Sequence, residues 1–271
     1  MPKDEFDKRV EKLTIFDGSF PHLACSVCER GHIHRPETIL ELETGESIRA
    51  RSHDAWEPEW ITHSWSGIGV CSNKECAQTF SLGGETRMAV TSNWDELQLT
   101  PEYIIKIISP SPMLFQVPSI YPDDAKEKLV NSFGLFFYNP SASANALRAS
   151  IESFLDELKI RKTVIKNHKR LQLSLGRRVK DYLSTSKYSS ISSYVEAIKW
   201  IGNSGSHDSS LTVKNVLQAY DFLEIILGEL SLKALPGFPW VADLLMSFPE
   251  GTNEGYGPIF SDSRADRALV C

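Results

Sequence analysis

The sequence predicts an α+β chain: a small β-rich segment in front and an all-α helical bundle behind. Three observations predict it. Apolar residues alternate with polar ones in the first hundred residues and recur every three to four residues after about residue 125. A proline-rich segment, Ser109-Pro110-Ser111-Pro112 through to Pro118, lies between the two regimes and reads as a linker. Four of the five cysteines form two close pairs, both in the front part. The expected organisation is a β-rich domain over 1–108, a helical bundle over 118–235 and an extended tail over 236–271.

In the front part, Leu40 and Leu42 alternate with Glu41 and Glu43, the pattern of a half-buried strand, and Thr44-Gly45-Glu46 reads as a turn. The aromatic stretch from Trp56 to Trp65 leads into Gly67, Gly69 and the second cysteine pair, and Gly83-Gly84 reads as the close of another hairpin. Behind the linker, Ala125, Leu129, Phe133 and Phe136 share one helical face. Asn139-Pro140 is a helix start, with Asn as N-cap and Pro at the first helical position. Leu147, Ile151, Phe154 and Leu158 continue that helix. Leu171, Leu175, Val179 and Tyr182 mark a third, Ile191, Val195 and Ile198 a fourth, and Val213 to Leu230 a long fifth. Five amphipathic helices with short connections make a bundle. The tail has Gly, Pro and scattered aromatics, and is expected to pack on the bundle or on a partner.

With 41% hydrophobic and 24% charged residues, the 271-residue composition is that of a globular protein, which excludes a disordered chain or a coiled-coil rod. The first residues are too charged for a signal peptide and no apolar run approaches the roughly 20 residues of a membrane span, so the expected setting is the cytoplasm, away from membranes. The net charge of −6 is uneven: acids dominate the front and the tail, bases the middle. A nucleic-acid ligand would therefore meet the middle section.

Cys25-Ser26-Val27-Cys28 and Cys71-Ser72-Asn73-Lys74-Glu75-Cys76 form a C-x2-C and a C-x4-C pair. Each turn can aim two thiolates at one centre, and two such turns give the sulfur tetrahedron that zinc accepts. With the surrounding glycines, this reads as a zinc ribbon whose closed site, Cys25, Cys28, Cys71 and Cys76, supplies folding energy rather than catalysis. His32, His34, His53 and His63 stand by as alternative donors, and Cys271 has no partner spacing.

Residues 159–180 contain nine Lys and Arg and no Asp or Glu, the densest basic run of the chain. Lys169, Arg170, Arg177 and Arg178 are its candidate phosphate contacts. The same run would also serve as a solvated helical hairpin or as a surface for an acidic protein. No phosphate-binding G-x4-G-K-[ST], dinucleotide G-x-G-x-x-G or metalloprotease H-E-x-x-H is present.

Finally, Lys199-Trp200-Ile201-Gly202-Asn203-Ser204-Gly205-Ser206-His207 places Asn203 and His207 four apart, on one face if helical. Together with Tyr138-Asn139-Pro140-Ser141-Ala142 and with Leu147, Arg148 and Glu152, this makes the run from Pro118 to about Lys233 resemble a bacterial domain-of-unknown-function family in the HEPN (higher eukaryotes and prokaryotes nucleotide-binding) superfamily. The resemblance implies a helical bundle, a homodimer, an association with phage-defence systems and their protein partners, and, in active members, metal-independent cleavage of RNA. The implied motif is Arg, a polar residue, three variable residues and His: the His moves a proton and the Arg stabilises the phosphorane charge. Asn203 and His207 match the last two roles, but Gly202 stands where the Arg is expected, leaving Arg148 or Lys199 as the cation and Glu152 beside it. The other expectation is a catalytically inactive zinc-binding adaptor within a larger defence complex.

Overall fold

A computed structural model describes residues 3–93, 96–207 and 211–234, with side chains over 7–90, 99–204 and 211–231. The tail 236–271, including Cys271, and residues 208–210 lie outside the described residues, as does the side chain of His207.

The chain opens with helix α1 (Lys3–Thr14), which runs straight into the two-residue strand β1 (Ile15–Phe16). Strand β2 (Ile39–Glu43), helix α2 (Gly45–Ala50) and strands β3 (His63–Val70), β4 (Thr79–Asn93) and β5 (Glu96–Ser109) follow. They form one antiparallel sheet in the order β1-β5-β4-β3-β2. The turn expected at Thr44 is the start of α2, where the Thr44 hydroxyl accepts from Ser47 N–H at 3.1 Å. Gly83 and Gly84 do not close a hairpin. They sit inside β4 at a bulge, where the Ile104 carbonyl comes so close that a Cβ on Gly84 would lie 1.9 Å from it. β2 is a strand, but it is turned over: Leu40 and Leu42 face solvent, the latter 77% exposed. On the opposite face Glu41 accepts from the Tyr103 hydroxyl and pairs across the ladder with the buried Trp65, whose indole donates to the Ile104 carbonyl at 3.2 Å.

The proline-rich segment is not a free linker. Met113 pairs with Ala24 through both backbone bonds, at 2.9 and 3.2 Å, and Phe115 sits edge-on to Phe133 and Tyr220. Apolar burial repays this order, with Met113, Val117 and Tyr121 almost fully covered. The buried side chains accordingly form one continuous cluster from Phe16 through to Leu230.

Helix α3 (Asp123–Phe136) and helix α4 (Pro140–Glu157) come next, the latter capped as expected: the Asn139 side chain accepts from Ala142 N–H at 3.0 Å and Pro140 is its first residue. Helices α6 (Ser192–His207) and α7 (Val213–Ala234) complete the helical layer. Small buried polar residues let α3, α4 and α7 approach: Ser132, Ser143 and the Tyr220 hydroxyl bond one another at 2.8 to 3.1 Å.

The expectation of an all-α HEPN-like bundle is corrected here. The second half carries a β-hairpin, strands β6 (Thr163–Lys166) and β7 (Lys169–Gln172), joined by the two-residue turn Asn167-His168. The expected third helix shrinks to α5 (Leu175–Arg178) and a wide helical turn, Val179–Leu183. The β-branched run Thr163-Val164-Ile165 and an Asn in the turn prevail over the helical spacing of Leu171, Leu175 and Val179. The front part is likewise more than a small zinc ribbon: it is a five-stranded sheet with a leading helix, and that helix docks on α7. Arg9 of α1 donates to Asp221 at 2.5 Å and reaches Glu224 at 3.7 Å, while Asp7 meets Lys214.

Candidate metal centre and nucleic-acid interface

The two cysteine turns close on each other. In the first, Cys25 N–H donates to the Gly31 carbonyl at 2.8 Å and Glu29 N–H to the Cys25 carbonyl at 2.9 Å, with Glu29 in the left-handed region at φ 54°. In the second, Cys71 N–H donates to Gln78 at 2.8 Å and Ala77 N–H to Asn73 at 2.9 Å, with Ala77 at φ 46°. Ser72 N–H donates to the His32 carbonyl at 2.8 Å and stitches the turns together. Gly31 is required by this approach: a Cβ there would lie 2.5 Å from Cys71 Sγ.

The result brings Cys25, Cys28, Cys71 and Cys76 together. Their Sγ atoms all lie within 4.8 Å of one another, with Cys25 to Cys76 at 3.9 Å and Cys28 to Cys71 at 3.7 Å. Those separations are far longer than the roughly 2.05 Å of a disulfide, and all four are free thiols. They form a group able to hold a metal ion, so the spacing-based expectation of one four-cysteine cluster stands. The electrostatics favour a cation. The Arg30 N–H, chief among the donors on Cys28, pulls that thiol down to about 6, whereas burial pushes Cys71 up to about 12. On Cys76 the largest single influence, the Gln78 N–H, lowers the pKa, but burial and the adjoining Cys28 and Cys25 thiols raise it overall. One thiolate forms readily; four together need positive charge at their centre. The histidines are not needed to complete the set. His32 Nδ1 lies 3.1 Å from the Ser72 hydroxyl, and its ring is flanked by His22 and His34.

On the helical side, Arg148 and Glu152 lie one turn apart on α4, and Asn203 faces them from α6. Arg148 Nη1 donates to Asn203 Oδ1 at 2.8 Å and Nε donates to Glu152 Oε1 at 3.2 Å, with the arginine side chain still 30% exposed. Gly202 is explained by the same crossing. A Cβ on it would lie 3.0 Å from Arg148 Cβ and 3.2 Å from the Ala144 carbonyl. The helices touch backbone to side chain at this point, and the guanidinium arrives beside Asn203 from the neighbouring helix. Lys199 takes no part in this network: its Nζ donates to Glu196 at 3.0 Å and lies 4.6 Å from the ring centre of Trp200, which is itself 60% exposed. His207 ends α6 four residues beyond Asn203.

The basic run divides. Lys169 and Arg170 lie on β7, all of whose residues are exposed. Arg177 is exposed and reaches Asp181 at 3.4 Å. Arg178 is a correction: it is 2% exposed, and its guanidinium donates to Asp156 at 2.6 Å, the Ile160 carbonyl at 3.0 Å and the Glu152 carbonyl at 3.2 Å. It clamps the end of α4 to the root of the hairpin and offers nothing to a phosphate. On a helix, neighbours in sequence point roughly 100° apart, so one of two adjacent arginines turns inward. Lys166 and His168, on the hairpin and its turn, are exposed cations or potential cations that sequence reasoning did not single out. Asn167 in a two-residue connection was the available signal.

Among the described residues, no helix is long and apolar enough to cross a membrane.

Two families match parts of the chain. The family described as a domain of unknown function, DUF8608, is similar to residues 14–111, which contain the sheet and the cysteine cluster. A second domain of unknown function, DUF4145, is similar to residues 131–237, which contain α4, the hairpin, α6 and α7. No curated protein and no solved structure matches the chain.

Proposed function

We propose that this chain is a nucleic-acid-binding protein of the bacterial cytoplasm, built on a structural zinc site. The donor set fits zinc: thiolates about 2.3 Å from a tetrahedral ion stand roughly 3.8 Å apart, close to the 3.7 and 3.9 Å separations here. Cys25, Cys28, Cys71 and Cys76 would hold it. Four protein ligands leave no position for a substrate, so the ion supplies folding energy.

The observation that carries the binding function is the exposed basic hairpin. Lys166, Lys169 and Arg170 project on strands with no acidic residue between 159 and 180. A polyanion is the ligand that such a surface suits. The test is binding of mixed oligonucleotides by the wild type and by Lys166→Glu, Lys169→Glu, Arg170→Glu. The triple variant is expected to lose retention at moderate salt with an unchanged melting temperature. Equal retention by both would overturn the reading. Binding by neither would leave the chain an adaptor that meets only protein partners in a defence complex.

One observation favours a second activity, cleavage of RNA. Arg148 holds a guanidinium against Asn203 although position 202 is Gly. In this reading Arg148 stabilises the phosphorane, Asn203 and Glu152 orient Arg148, and His207 transfers the proton, within the homodimer that the resemblance implies. RNA cleavage abolished by Arg148→Ala and by His207→Ala is the expected result. Products at background level from the wild type would end this reading and leave the first intact.

A further inference from the structure

The β6–β7 hairpin has two chemically different faces. Register pairs Thr163 with Gln172, Val164 with Leu171, Ile165 with Arg170 and Lys166 with Lys169. Because side chains alternate across a strand, Thr163, Ile165, Arg170 and Gln172 lie on one face, and Val164, Lys166, Lys169 and Leu171 on the other. The first face ends in a guanidinium, an amide and a hydroxyl around Ile165, an apolar side chain left 79% exposed. The side chains of Ile165, Arg170 and Gln172 all stand exposed on this face, so an apolar group, a cation and an amide are presented together.

We propose that this face reads base edges in the major groove of duplex DNA. The inference rests on the nucleic-acid reading above and narrows its ligand. Two strands roughly 4.8 Å apart, with side chains, fit a groove about 12 Å wide, whereas the A-form major groove of RNA is too narrow to admit a ribbon. The four side chains match what that groove displays: Arg170 the O6 and N7 acceptors of guanine, Gln172 the N6 and N7 of adenine, Thr163 either, and Ile165 the thymine methyl. Lys166 and Lys169, near the tip on the other face, are placed for the flanking phosphates.

The ribbon is rigid enough to present that face. Asn167 and His168 both have positive φ, 50° and 61°, giving the two-residue turn whose twist matches that of the strands. Leu173 N–H donates to the Lys162 carbonyl at 2.9 Å and extends the ladder to the root. Arg178, buried beneath, holds the Ile160 carbonyl just before it.

The experiment is selection of binding sites from random duplex DNA by the full chain, followed by affinity measurements on the selected duplex, a scrambled duplex, the same sequence as duplex RNA and the single strands. The wild type is expected to enrich a short motif and to prefer it over the scrambled duplex by at least roughly tenfold. Arg170→Ala with Gln172→Ala should erase that preference while general affinity falls little. Lys166→Ala with Lys169→Ala should weaken all duplexes alike, keep the preference and lower the salt slope by about 2. Binding of duplex DNA without preference, a preference that survives Arg170→Ala with Gln172→Ala, or binding of RNA or single strands in place of duplex DNA would each overturn the groove proposal and leave nucleic-acid binding standing. Binding of none of them would end both.

Discussion

The cysteine turns and the β6–β7 hairpin are both small β-structures built around tight connections, yet they use their chemical groups in opposite ways. The cysteine turns point four sulfurs at one another and leave two of them buried. The hairpin points its cations and Ile165 outward. A donor set closed on itself contributes stability; a set held away from the body is available to a partner. Arg178 lies between the two cases. It belongs by sequence to the basic run and by structure to the core.

Breaking the closed centre should give the largest effect. Cys71→Ser, or chelation of the proposed zinc, should remove binding energy of the kind that structural four-ligand sites couple to folding, in small zinc-binding peptides about 10 kcal/mol or more. Loss of the cooperative unfolding transition and of bound metal is the expected readout. An unchanged melting curve would show that the sheet stands without it.

The inward arginine ranks next. Arg178→Ala leaves Asp156 with Lys162 as its remaining cation and takes this donor from the Ile160 and Glu152 carbonyls, at about 2 kcal/mol. Denaturant unfolding measures this, and a loss under about 0.5 kcal/mol would mean the clamp is ornamental. Gly202→Ala forces a Cβ against Arg148 and Ala144 and should cost about 1–2 kcal/mol by overpacking. Its stability should fall together with any RNA cleavage, because the added methyl displaces Arg148 from Asn203.

The smallest effect sharpens the contact between α1 and α7. Burial lifts Glu224 to about 7, with Arg9 opposing and Asp221 adding to the rise. A carboxyl whose pKa is higher folded than unfolded binds more protons in the folded state, so the contribution of Glu224 to stability is fully present below pH 4.5 and is lost as pH rises through about 7. Because Glu224 is 25% exposed, the change should be about 1–2 kcal/mol. Glu224→Gln should flatten that slope, read by unfolding at pH 5 and pH 8.

How much of this the sequence discloses differs by region. The cysteine cluster is legible because metal-type turns impose short spacings that other structures rarely need. The N-cap at Asn139 is legible for a similar local reason. The hairpin is not: Leu171, Leu175 and Val179 carry helical spacing, and the strand is only four residues long. The direction of β2 is not legible either. Alternation fixes that Leu40 and Leu42 share a face, but which face is covered depends on Trp65 and Tyr103, distant in sequence. Nor can a run of identical charges reveal which one turns inward, since that depends on the Asp156 carboxylate and the carbonyls waiting for it.

The most direct test of the account is the salt dependence of duplex binding by three proteins: wild type, Lys166→Ala with Lys169→Ala, and Arg178→Lys held well below its melting temperature. The hairpin pair should lower the slope of log affinity against log salt by about 2, at roughly 0.9 per phosphate contact, whereas Arg178→Lys should lower the melting temperature and leave the slope as it was. A slope reduced by Arg178→Lys and untouched by the hairpin pair would contradict the account.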